Sequence, residues 1–153
     1  MVTKQQVETY IENTVRNSSD RIFQPAKGNV RQFILEVAGE PYKADLAFRI
    51  DGRNWLFIED DEAQTADHNA AKYWRWIEYC KVTQPIYLVH IIHSNSKGDY
   101  LSARLLAKFI CEKMKEQHTN FNYYPIETCN WEDEDWKEQL THTLGKILKY
   151  KND

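Results

Sequence analysis

A mixed β-sheet flanked by helices, in the order αβββαβαβα, is the α/β class that this sequence predicts. Three observations point to it. Two apolar segments, over 43–50 and 55–60, face each other across Asp51-Gly52. A continuous β-branched run follows over 85–92. Helical stripes then separate the later strands, so the sheet begins as a meander and continues through crossovers.

Taken in order, residues 3–16 place Val7, Tyr10, Ile11, Thr14 and Val15 on one helical face, and Asn17-Ser18-Ser19-Asp20 ends it. Residues 31–38 read as a strand closed by Gly39 and Pro41. Over 43–50, Ala44, Leu46, Phe48 and Ile50 alternate with Lys43, Asp45, Ala47 and Arg49. The turn at Asp51-Gly52 joins this strand to Trp55-Leu-Phe-Ile-Glu-Asp60 in a hairpin. Thr65-Ala66-Asp67 suits the cap of a helix over 68–80. Pro85 to Ile92 is apolar enough for a strand covered on both faces. Gly98 and Asp99 precede a helix over 100–116, and Phe121 to Ile126 reads as the last strand. Asn130 is placed to cap a final helix with Trp136, Leu140, Leu144, Ile147 and Leu148 on its inner stripe.

A chain of 153 residues, 42% of them apolar, builds one packed interior, so residues 1–153 are read as a single domain. The net charge of −3 excludes a histone-like basic binder but not a local basic rim beside an acidic, metal-binding centre. Lys4, Arg16, Arg21, Lys27 and Arg31 make the N-terminal region the most basic part; they read equally well as a phosphate-holding rim or a scattered solvated face. No membrane span or signal-like stretch is found, so a cytoplasmic location is expected. Cys80, Cys111 and Cys129 have neither disulfide nor zinc spacing and read as reduced thiols.

The chemistry concentrates where an apolar strand runs into Glu59-Asp60-Asp61-Glu62. Strand alternation puts Glu59 and Asp61 on one face and Asp60 on the other. Whether Asp45 joins the first two depends on the hairpin loop. An even-length loop turns Asp45 away from Glu59; a three-residue loop with Gly52 in the left-handed conformation puts all three odd-numbered acids on one face. The second register also gathers Leu46, Phe48, Leu56 and Ile58 into one apolar surface, and a one-residue slip would scatter them. Asp45, Glu59 and Asp61 are therefore expected to converge. A solvated acidic strand end is the plainer reading. Shared orientation favours a site for Mg²⁺ or Mn²⁺, which take carboxylate oxygens and retain several waters.

Asp45, a turn, and then Glu59-x-Asp61 closing an apolar strand resembles the PD-(D/E)XK nuclease superfamily, whose restriction endonuclease-like core has a similar order of elements over residues 3–92. The resemblance implies that Asp45 and Glu59 hold metal and that Asp60 offers its backbone carbonyl. Pro41 is displaced from the motif's proline. The motif's lysine falls on Asp61, a departure; some restriction enzymes similar to this pattern carry an acid or amide there. In other relatives the lysine lies on the following helix, where Lys72 is available. Glu8 or Glu12 matches an acid that many members place on the first helix, and which of the two remains open. The implied activity is hydrolysis of DNA phosphodiester bonds by metal-activated water.

Gln64 lies just beyond the acids, and Asn69, Lys72, Tyr73 and Trp76 share one side of the next helix. Lys72 is either a surface residue or a group that orients water or contacts phosphate. Tyr73, Trp74 and Trp76 are read as core in preference to base-stacking groups. His90 and His93, three apart on a strand, face opposite ways and read as structural, and His68 as a capping or exposed residue. Glu132-Asp133-Glu134-Asp135 reads as acids meeting a helix dipole, not as a second site. The expected partner is DNA, with no membrane and with a homodimer left open. The alternatives are an inactive nuclease-fold module that binds nucleic acid or a protein, and an interaction protein of unrelated α/β fold.

Overall fold

The computed structural model describes residues 2–25, 29–94 and 101–149. Its elements are α1 (Lys4–Ser18), β1 (Ile22–Phe23), β2 (Arg31–Val37), β3 (Glu40–Ile50), β4 (Asn54–Glu62), α2 (Ala66–Cys80), β5 (Ile86–His93), α3 (Leu101–Gln117), β6 (Phe121–Thr128) and α4 (Asp135–Lys149). Lys27, Gly98 and Asp99 lie outside the described residues. The two-residue β1 is an addition to the expected order. It is held by pairing Ile22 with Ile50 and Phe23 with Arg49.

β3 pairs antiparallel with β1, β2 and β4, whereas β4, β5 and β6 run parallel. The sheet is therefore mixed, with helices on both faces. On one face Leu35, Phe57, Leu88 and Phe121 pack with Tyr73, Trp76 and Ile77 of α2 and with Cys111 and Met114 of α3. On the other, Leu46, Phe48, Leu56, Ile58, Val89 and Ile91 meet Val7, Ile11 and Val15 of α1 and Trp136, Leu140, Leu144 and Ile147 of α4. Double coverage explains why Ile86 to Ile92 is apolar apart from His90. No helix among the described residues is long and apolar enough to cross a membrane.

The β3–β4 loop has three residues, Asp51 to Arg53, and pairs Leu46 with Ile58, Phe48 with Leu56 and Ile50 with Asn54. Gly52 takes the expected positive φ of 70°, and Asp51 also sits at φ 56°. One part of the alternation fails. Ala44 packs with Ala47 on the α2 side, not with Leu46 and Phe48. The facing thus shifts by one between 44 and 47, where β3 leaves β4.

Helix starts depart from expectation as well. Thr3 caps α1 with a reciprocal bond to Gln6. Thr65 occupies the N-cap of α2 but makes no capping bond; its hydroxyl donates to the Glu62 carbonyl. Asn130 does not cap α4; its side-chain oxygen accepts from the Glu132 amide in a turn before the helix. Of the acidic run, Asp135 alone falls inside α4.

Phe57 is fully buried, with ring contacts to Phe33, Trp55, Tyr73 and Trp76. Phe57→Ala is expected to cost about 3–5 kcal/mol of unfolding free energy in urea titration. A loss below about 1 kcal/mol would contradict this packing.

Candidate metal centre

The centre forms where β3 and β4 part. Their ladder ends at Leu46–Ile58, and side chains take over from backbone carbonyls. The Asp45 amide donates to Glu59 Oε2 at 3.3 Å, and the Asp60 amide donates to Asp45 Oδ2 at 3.0 Å. Asp45 therefore stands in the fork of the sheet. Glu59 and Asp61 reach it from the α2 side and Asp60 from the α1 side.

Two carboxylate trios result, each with ligand oxygens within 4.8 Å of one another: Asp45, Glu59 and Asp61, and Glu8, Asp45 and Asp60. The first is the expected convergence. The second corrects the expectation for Asp60, whose side chain joins the cluster while its carbonyl accepts from Lys4 Nζ at 3.2 Å. It also separates the two helix acids. Glu8 belongs to the trio, whereas Glu12 is drawn off by Arg16 and Arg31, each at 3.3 Å.

α2 supplies the other wall. Lys72 is buried, not a surface residue; it forms an ion pair with Glu59 and donates to the Lys43 carbonyl at 2.6 Å. The Tyr73 hydroxyl donates to Glu59 Oε1 at 2.7 Å, and Asn69 Nδ2 donates to Asp61 Oδ1 at 2.7 Å. From β5, fully buried His90 holds Asp61 Oδ2 through Nε2 at 2.6 Å, and its Nδ1 meets the Tyr123 hydroxyl at 2.8 Å. Gln64 is exposed and lines the cleft of about 330 Å³ that opens onto the cluster. His68 is exposed, and His93 pairs with Glu62 at 3.1 Å.

Lys4, Tyr73 and His90 are thus site neighbours that sequence reading did not assign. Tyr73 had a signal, since it follows Lys72 on the helix side already singled out. His90 had none, because its place opposite Glu59 is set by the parallel β4–β5 register. Lys4 lies one turn before Glu8, but only docking of α1 brings it within 3.6 Å of Asp45 and 3.7 Å of Asp60.

The electrostatics are those of crowded, desolvated acids. Burial raises Glu59 well above the ordinary carboxylate range; Lys72 opposes this, and Asp45 and Asp61 add to it. Asp60 is pushed up to about 9, chiefly by burial and then by Asp45. Glu8 is raised, again by burial first. Burial acts the same way on Asp45, but the Glu59 contact, the Lys4 charge and the Asp60 amide outweigh it and hold this carboxyl low. Asp45 is thus held towards its charged form, while burial favours the neutral forms of Glu8, Glu59 and Asp60.

The residues fit a hard divalent cation. Asp60 Oδ1 is buried and has no hydrogen-bond partner among the described residues, and Asp60 belongs to a carboxylate trio. A cation would satisfy that oxygen and favour the charged forms of Glu59 and Asp60. A stability consequence follows. An acid with a raised native pKa binds more protons folded than unfolded, so stability falls as pH rises from the usual carboxylate range towards about 9. Urea midpoints of the metal-free protein should therefore drop between about pH 5 and about pH 8, and Mn²⁺ should restore them. A flat profile indifferent to Mn²⁺ would contradict this picture.

Compared with family models, curated proteins and solved structures, the chain matches none of them. A mixed sheet with flanking helices, carrying a buried carboxylate cluster able to coordinate a divalent cation, is what sequence and structure establish together.

Proposed function

We propose that this chain is a Mg²⁺- or Mn²⁺-dependent nuclease of the PD-(D/E)XK type that hydrolyses DNA phosphodiester bonds. The observation that carries the reading is Asp45 shared between two carboxylate trios, with a buried lysine from the next helix set against one of them. The cation would lower the pKa of a coordinated water and stabilise the leaving oxygen. Asp45, Glu59 and the Asp60 carboxylate would hold it, and Glu8 would complete the second trio. Asp61, fixed by Asn69 and His90, closes the site where the motif would have lysine. Lys72 then serves as the ammonium beside the reaction: it offsets the charge of Glu59 and is placed to orient water or a phosphate oxygen. Gln64 and Asn69 sit at the rim of the cleft as accessory polar groups. Glu12, engaged by two arginines, drops out.

The experiment is incubation of supercoiled plasmid with the protein and Mn²⁺, with and without chelator. Nicked or linear product that disappears with chelator supports the reading, and intact plasmid together with intact single-stranded circular DNA in Mn²⁺ contradicts it. The second reading, an inactive nuclease-fold module binding nucleic acid or a protein, draws on Asp61 in the lysine position. It would be favoured by intact plasmid together with tight DNA binding.

A further inference from the structure

Beside the acid cluster lies a second hollow of about 350 Å³, lined in part by Tyr10, Trp131, Trp136 and Lys137. Val2, Val7 and Trp131 line both hollows, so the two abut as a trough. Trp131 is half-buried and held as a fixed plane. Its ring stacks on His93 at 5.2 Å and 18°, and it meets Trp136 edge-on at 5.4 Å. Trp136 Nε1 donates to the Trp131 carbonyl at 3.1 Å, which anchors the backbone beneath the ring. Further along, Tyr10 is 37% exposed, with the Lys137 ammonium 4.8 Å from its ring centre.

Charge does not draw a polyanion to this surface. Asp45, Asp60, Asp61, Glu62 and Glu132 line the trough against Lys4 and Lys137. A duplex, which carries one phosphate charge per about 1.7 Å, gains little from such a surface. A single strand gains from stacking, since every unpaired base offers a flat face to a preordered aromatic ring. Bases inside a duplex keep those faces covered.

We propose that this trough seats an unpaired nucleobase of the substrate strand against Trp131 and Tyr10, which makes single-stranded or locally unpaired DNA the substrate class. The inference rests on the nuclease reading of the adjoining cluster. Trp131 and Tyr10 select the substrate; the acids act on its phosphate.

Binding tests it without turnover. A fluorescently labelled oligodeoxythymidylate and a blunt duplex of equal length are titrated with wild type, Trp131→Ala and Trp131→Phe in Ca²⁺. The single strand is expected to bind at least about tenfold more tightly than the duplex. Trp131→Ala should lose about tenfold for the single strand and little for the duplex, with Trp131→Phe recovering most of the loss. Equal affinity for both forms, or an unchanged Trp131→Ala, overturns the proposal. Should Trp131→Ala misfold, Tyr10→Ala carries the same test, since its ring is partly exposed. The two readings fail separately. Plasmid and oligodeoxythymidylate both left intact in Mn²⁺ remove the nuclease, whereas cleavage by a Trp131→Ala variant of undiminished single-strand affinity removes the nucleobase site alone.

Discussion

Glu59→Gln is expected to lower Mn²⁺-dependent plasmid cleavage by at least about a hundredfold while leaving the fold in place. Removing a partner one shell out from a metal typically costs about 10–100-fold, and a direct ligand more. The substitution keeps the shape of a side chain that is only 1% exposed and removes one ligand charge. The Tyr73 hydroxyl at 2.7 Å still finds an amide oxygen. Some stability is lost with the charge that faces Lys72, but burial already favours the neutral form of Glu59, and the ammonium keeps the Lys43 carbonyl as an acceptor. Cleavage within about threefold of wild type would remove Glu59 from the site.

Lys72→Met has the other large effect, and it acts on stability and activity together. Lys72 and Glu59 are both buried, and taking one member from such a pair costs about 3–5 kcal/mol. The loss should fall at the lower end here, because Glu59 can bind a proton in place of the ammonium. In the Lys72→Met, Glu59→Gln double variant no charge is stranded, so most of the lost stability should return. Cleavage should not return in either variant. A double variant less stable than Lys72→Met alone would show that the lysine stabilises through packing of its stem, not through its charge.

The hairpin register was legible because burial allows one answer. Leu46, Phe48, Leu56 and Ile58 form a single surface when the loop has three residues, and Gly52 supplies the required left-handed position. Glu59 and Asp61 follow by alternation from that register. Alternation fails at Ala44, where β3 leaves β4 for β2 and carboxylates replace carbonyls as acceptors. Nothing local marks such a fork. Lys4 and His90 were missed for one cause: each reaches the site from an element remote in sequence from the β3–β4 hairpin. Lys4 and Glu8 depend on how α1 lies against the sheet, and His90 depends on the parallel pairing with β4. The Asp60 carboxylate was assigned away from the cluster by correct face logic. It joins because Asp45, in the fork, is open to both faces.

Calorimetric titration of Mn²⁺ into wild type and Asp45→Asn tests the centre most directly, since Asp45 alone belongs to both carboxylate trios. Saturable binding by wild type with proton release, lost in the folded Asp45→Asn variant, is the predicted result. No heat of binding for wild type at about millimolar Mn²⁺, or undiminished binding after the Asp45 substitution, would contradict a shared-carboxylate metal centre.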